Sequence, residues 1–161
     1  MTRAIRIHEH GGPEVLRWDE VDPGTPGAGQ ALIRQTAAGL NFIDVYHRTG
    51  LYPVPAMPAI IGNEGAGVVE AVGDGVSELR VGDRVAYCMS LGSYAQRRVV
   101  PAQQLVKLPD AVTDEQAADM MLKGCTVQYL IRRTYPIKAG ETVLFHAAAG
   151  GCGLIACQWL K

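Results

Sequence analysis

Polar and apolar residues alternate from Arg3 to His8, the period of a half-buried strand, and Gly-Gly-Pro at 11–13 breaks the run. Residues 15–21 are placed to form its hairpin partner. PGTPGAG at 23–29 is a surface turn region, and Ala31 to Ala37 alternates again as a strand with one wet face. GLNFIDVYHRTGLY at 39–52 mixes apolar spacing with polar and aromatic groups, which predicts a turn or two of helix beside a loop. PVPAMPAIIG follows, extended and irregular because of its prolines. Residues 65–87 read as a strand, a Gly-Asp-Gly turn, a spacer and a second strand, with Gly82-Asp83 a tight turn before Arg84–Tyr87. Gly92 to Val100 continues as a strand. Repeated short strands and glycine turns make residues 1–100 an antiparallel, barrel-like domain.

The period changes near residue 110. Thr113 with Gln116 three places later fits a capping box, and Ala117, Met120, Met121, Gly124, Val127, Leu130 and Ile131 repeat at helical spacing over 114–133. Pro136 and Gly140 punctuate the end of that helix. Glu141–His146 then reads as a short apolar strand, followed by a glycine-rich turn and an apolar helix. The switch from strands to helix–strand–helix marks a domain border near 105–125.

Composition narrows the function classes. The 161 residues carry 15 Lys+Arg against 16 Asp+Glu, a formal charge of −1, so no basic face is implied and nucleic acid is an unfavoured partner. The apolar runs are far shorter than a membrane span. The N-terminus lacks the apolar core of a secretory signal. Cys88, Cys125, Cys152 and Cys157 form no CxxC pair, and three of them lie in surroundings that look like helix or core. They read as reduced structural thiols, which fits a cytoplasmic home. His8, His10, His47 and His146 show no close ligand set, so no metal site is expected.

The chemistry sits in Ala148-Ala149-Gly150-Gly151-Cys152-Gly153. Against G-x-G-x-x-G it keeps the second and third glycines and has Ala148 at the first. Gly150 admits a pyrophosphate close to the backbone, Gly153 lets the helix sit close to its strand, and the N–H groups of residues 151–153 face the phosphates. A tight strand-to-helix turn of purely structural use shares this pattern; the apolar strand before it and apolar helix after it favour the cofactor reading. Asn41, Tyr46 and Tyr52 are candidates to line a cleft, against the plainer reading that the tyrosines fill a core edge. Lys123 on the long helix reads by itself as a solvated lysine. Glu64 reads as a turn carboxylate near the surface or as a cleft group.

Taken together, HGGPEVL at 10–16, GLNFIDVYHRTGLYP at 39–53, GNEGAGVVEAVGDGV at 62–76, GDRVAY at 82–87, LKGCTVQYL at 122–130 and HAAAGGCGLIACQWLK at 146–161 resemble the zinc-independent, zeta-crystallin-like quinone oxidoreductases of the medium-chain dehydrogenase/reductase superfamily. The resemblance covers the whole chain. It implies a mixed fold: a GroES-like antiparallel β-barrel catalytic domain over 1–122, then the start of a Rossmann α/β domain over 123–161. It implies NADPH as cofactor and a quinone as substrate, with Asn41, Tyr46 and Tyr52 shaping the acceptor pocket. The cofactor-contacting set is Phe42, Ile43, Lys123, Thr126, Tyr129, Ala148, Gly150, Gly151, Cys152 and Gly153. Asn41 stands where zinc-dependent relatives carry Cys, and Asn63 where they carry the His of Gly-His-Glu, so zinc is not expected. Members usually have Val where this chain has Cys152. A homodimer is implied. Relatives are about twice this length, so the chain corresponds to an N-terminal half, and this stretch alone is expected to be weak in catalysis and prone to associate. An enoyl or enone reductase, or a non-enzymatic binding protein, are the alternatives.

Overall fold

The computed structural model describes residues 1–161. Two compact units divide the chain, Met1–Asp119 and Met120–Lys161. The border falls inside one helix, as does the expected border at 122/123.

The first unit is built from two antiparallel sheets. β1 (Thr2–Ile7) pairs with β2 (Arg17–Val21), Thr2 opposite Val21 and Arg6 opposite Arg17, which is the expected hairpin. The short β4 (Ala59–Ile60) adds to the other edge of β1. The larger sheet runs β7-β3-β5-β6-β8. Its members are β3 (Gln30–Ala38), β5 (Glu64–Val72), β6 (Arg84–Cys88), β7 (Arg97–Pro101) and β8 (Val106–Lys107). The alternation read from Ala31 onward places Ala31 and Ile33 inward, both fully buried, with Val69, Val85, Tyr87 and Val100 in one core. β3 bulges against β5 at Leu32/Ile33 and at Gln35/Ala37, which bends the sheet over that core.

The expected barrel is not closed. β7 and β8 end the large sheet, β8 has only two residues with which to pair, and the smaller sheet is tied to the rest by a bridge between Ala4 and Ala95. The Gly92–Val100 strand is shorter than expected, because Arg98 gathers the preceding loop. Its guanidinium donates to the Ser90 carbonyl (2.8 Å), Ser90 Oγ (3.0 Å) and the Leu91 carbonyl (2.9 Å).

α1 (Phe42–Thr49) is the short helix expected in 39–52, stopped by Gly50 at φ 83°. α2 (Asp114–Tyr129) opens with the capping box read from sequence: Gln116 N–H donates to Thr113 Oγ1 (3.2 Å), and Gln116 Oε1 accepts from Thr113 N–H (3.0 Å). Asp114 clamps this end to the sheet. Its carboxylate accepts from Arg84 Nε (2.9 Å) and Nη2 (2.7 Å) and from Thr36 Oγ1 (2.6 Å). Past Tyr129 the helix widens into a π-turn over Leu130–Thr134.

In the second unit α3 (Gly151–Trp159) packs with the end of α2 around Val127, Ile131 and Ala156. The strand expected at Glu141–His146 does not form. The segment has no strand to pair with, and Leu144 is 84 % exposed. All four cysteines are free, and Cys125, Cys152 and Cys157 lie on helices as expected, but Cys125 and Cys157 are exposed.

Candidate functional site

α1 is held by a buried polar hub in the first unit. Asp44, 4 % exposed, is the third residue of the helix. Its Oδ2 accepts from the Asn41 backbone N–H (3.0 Å) and the Tyr94 hydroxyl (2.8 Å), and its Oδ1 accepts from Asn63 Nδ2 (2.7 Å). A carboxylate taken from water this far needs such donors. Asn41 Nδ2 in turn donates to Glu64 Oε1 (2.7 Å), and Glu64 is fully buried, not a surface turn carboxylate. Burial pushes the Tyr94 phenol well above its ordinary value, and the hydrogen bond to Asp44 and the negative charges of Asp44 and Glu64 push it further. Tyr94 therefore stays a donor to Asp44 at every physiological pH. Gly62 makes the approach possible: φ is 94°, and a side chain there would strike Ser93 and the Tyr94 ring.

Beside this hub lies an open pocket of about 410 Å³. Leu16, Leu40, Phe42, Val45 and Ile61 make it apolar, and Asn41, Asp44, Arg48 and Tyr94 supply its polar edge. Leu40 and Phe42 are 78 % and 79 % exposed, high for such side chains. The structure brings Asn41 and Phe42 to this pocket. Tyr46 and Tyr52 are not part of its lining. Their rings meet tilted at 60° with centroids 5.2 Å apart, and Tyr46 lies 6.4 Å from the Phe42 ring. Ile43 is half-buried on α1.

In the second unit the glycine turn closes as the sequence implies. Gly150 caps α3, its N–H donating to the Ala147 carbonyl (2.9 Å). Gly153 is buried, and a Cβ there would lie 2.5 Å from Ala147 O and from Ala148 Cα, inside backbone contact. A Cβ on Gly151 would lie 2.6 Å from Lys123 Cδ, so the Lys123 stem lies over the turn rather than free in solvent. Cys152 Sγ is 4.0 Å from the Lys123 carbonyl. Ala147 adopts φ 54°, a left-handed conformation that sequence reasoning did not anticipate. Ala148, Gly150 and Gly151 are exposed at the head of the helix, where the first N–H groups lack intrahelical acceptors. These residues fit a dinucleotide pyrophosphate: the backbone is bare, the dipole is favourable, and a lysine stands beside it. Thr126 is half-buried, its Oγ1 donating to the Leu122 carbonyl one turn back on its own helix (2.7 Å), while Tyr129 is 48 % exposed.

Tyr94 was missed by the sequence reading, and Asp44 and Arg48 were not singled out. Tyr94 reaches Asp44 across fifty residues of chain, and no local pattern encodes that contact. Asp44 had a readable signal, as the third helical residue after an Asn cap. No cluster of three or more His, Cys, Asp or Glu side chains converges in a way that holds a metal ion. No helix is long and apolar enough to cross a membrane.

Two open antiparallel sheets with a short capped helix beside a buried Asn/Asp/Glu hub, leading into a glycine turn at a helix head, define the front half of a medium-chain dehydrogenase/reductase. The alcohol dehydrogenase GroES-like domain family matches residues 27–110, and the chain belongs to that family. It is 54 % identical over 162 residues to a quinone oxidoreductase of Pseudomonas aeruginosa, covering 100 % of this chain and 50 % of that protein. It is 46 % identical over 168 residues to a 2-haloacrylate reductase of a Burkholderia species, again covering 100 % of this chain and 50 % of the relative. The crystal structure of Escherichia coli quinone oxidoreductase complexed with NADPH superposes with a TM-score of 0.94 at 50 % identity, over 98 % of this chain and 48 % of that one. The chain thus spans about half the length of the curated relatives it matches.

Proposed function

We propose that this chain belongs to an NADPH-dependent, zinc-independent reductase of quinones. The observation that carries the reading is the bare glycine turn at the head of α3, with Gly153 tight against the Ala147–Ala148 backbone. It occurs in a chain that matches half of a quinone oxidoreductase from end to end. In this reading residues 1–122 form the catalytic domain and 123–161 open the cofactor domain. Gly150, Gly151, Cys152 and Gly153 hold the pyrophosphate through backbone N–H groups, with Ala148 at the turn and Lys123 placing a positive charge beside it. Phe42, Ile43, Thr126 and Tyr129 complete the cofactor contacts. A bound reduced nicotinamide supplies a hydride.

The chain's own residues then position and shield. Asn41, pinned through its amide by Glu64, is a fixed wall for a flat acceptor. Leu40, Phe42 and Val45 exclude water from the acceptor face. Tyr46, on α1, and Tyr52 pair with each other outside the lining of the pocket beside α1, and in this reading they shape its surroundings. Tyr94 donates nothing to the acceptor, because its hydrogen is committed to Asp44. The protein acts as a cytoplasmic homodimer in this reading, which the family resemblance supports and which light scattering would test.

A second reading has its own support in the 2-haloacrylate reductase relative: reduction of a C=C bond conjugated to a carbonyl. Comparing NADPH oxidation by the protein that carries this chain on menadione and on cyclohexenone separates the two. The quinone reading predicts the higher kcat/KM on menadione. Turnover confined to cyclohexenone replaces it with the second reading, and oxidation with neither acceptor removes both.

A further inference from the structure

Three side chains, from three strands of the larger sheet, converge behind one loop: Gln35 on β3, Tyr87 on β6 and Arg98 on β7. The Gln35 amide is the centre. Its Nε2 donates to the Ser93 carbonyl and to the Ala95 carbonyl (2.8 Å), the two carbonyls that flank Tyr94. Its Oε1 accepts from the Tyr87 hydroxyl. Arg98 decides which way round the amide lies. Arg98 Nη1 donates to the Tyr87 oxygen (3.3 Å), and a guanidinium cannot accept. The phenol hydrogen is therefore left for Gln35 Oε1, and the amide N–H groups face the loop. Tyr87 is fully buried, and burial holds its phenol above the ordinary value in spite of the Arg98 charge, so that hydrogen stays on. Gly65 leaves the space in which the two side chains meet: a Cβ there would lie 2.6 Å from Gln35 Oε1 and 3.0 Å from the Tyr87 hydroxyl.

We infer that Gln35, which does not line the pocket beside α1, is a positioning residue for it and acts through Tyr94. The Tyr94 hydroxyl donates to Asp44 Oδ2 (2.8 Å), the same oxygen that accepts from the Asn41 N–H (3.0 Å) at the head of α1. Tyr94, Asn41 and Asp44 all border the pocket, so the aim of the Tyr94 ring sets one edge of it directly and a second edge through Asp44. The backbone of Tyr94 is tied separately, its N–H donating to the Ile61 carbonyl (3.0 Å) and its carbonyl accepting from the Ile5 N–H (2.8 Å). Without the Gln35 amide the chain trace therefore persists, and what is lost is the fixed orientation of the ring. The consequence falls on how well a flat acceptor is seated, not on the hydride donor. For its effect on turnover the inference rests on the proposed reduction of quinones.

The test is steady-state NADPH oxidation with menadione by the protein that carries this chain, unsubstituted, with Gln35→Met, with Tyr94→Phe and with both. Gln35→Met is expected to raise the KM for menadione about fivefold, the size of one lost hydrogen bond, with kcat and the KM for NADPH within about twofold. In the Tyr94→Phe background the same substitution should raise the menadione KM by less than about twofold, because the link through which Gln35 acts is already cut. If Gln35→Met does not fold, Tyr87→Phe replaces it: it frees the amide to turn over and should raise the menadione KM at least about twofold, again only where the Tyr94 hydroxyl is present. A loss of urea stability with the menadione KM unchanged, or an equal rise with and without the Tyr94 hydroxyl, would overturn the inference. If the unsubstituted protein oxidises no NADPH with menadione, the reductase reading falls and amide exchange decides. Gln35→Met should then speed exchange across residues 42–49, and should add nothing to it in the Tyr94→Phe background. Unchanged exchange there would overturn the inference by itself.

Discussion

Asp44 is the residue on which the first unit's site turns. It accepts from Asn41 N–H, Asn63 Nδ2 and Tyr94 OH while 4 % exposed. Asp44→Ala leaves buried donors without an acceptor and should cost about 3 kcal/mol, read from the urea midpoint. Tyr94→Phe removes one of those donors and should cost about 1 kcal/mol in the same assay. Asp114 gives a pH signature. Burial works against its charge, but the hydrogen bonds from Thr36 and Arg84, with the positive charges of Arg84 and Arg34, outweigh it and hold its carboxyl below the usual range. A carboxyl depressed in the folded state stabilises above its unfolded value of about 3.9 and loses that contribution as pH falls through the lower folded value. Stability should therefore decline in acid below about pH 4, and Asp114→Asn should flatten that limb. A variant with an unchanged acid limb would show that another carboxylate controls it. At this scale Asn41 was legible as a cleft residue, through the family resemblance of its segment, and the glycine turn was legible as a spacing. Glu64 was left open between a turn carboxylate and a cleft group, because its burial depends on strand pairing, and Tyr94 was not legible, because it arrives from a loop far along the chain.

The elements follow local rules where those rules are local. Alternation at Ala31–Ala37 and the Thr113/Gln116 box each found their structure. Thr113→Ala should cost about 1 kcal/mol by loss of the cap, with thermal melting as the readout. Glu141–His146 failed because a strand needs a neighbour, and apolar composition supplies none. The same logic makes Gly153 informative. A methyl there meets the Ala147–Ala148 backbone at 2.5 Å, so Gly153→Ala should open the start of α3. An expected cost of about 2 kcal/mol would appear as faster amide exchange in residues 151–156, together with weaker NADPH binding. Undisturbed exchange and binding would remove Gly153 from the cofactor role.

At the scale of the whole molecule, the first unit has two sheets over a continuous core, and the second rests on a small cluster around Val127, Ile131 and Ala156. The second unit's extended segment has no ladder, and Leu144 and Trp159 are exposed at 84 % and 44 %. Residues 120–161 should therefore exchange amide hydrogens through openings of lower free energy than residues 1–119. Composition and charge set expectations about partners, but an open pair of sheets rather than a closed barrel follows only from how β7 and β8 end. The central proposal is that this chain belongs to an NADPH-dependent, zinc-independent reductase of quinones. Its most direct test is NADPH oxidation by the protein that carries this chain, followed with menadione and with a chelator present. The account predicts oxidation that depends on menadione and is indifferent to the chelator. Oxidation that requires a metal, or none at all despite folded protein and excess NADPH, would contradict it.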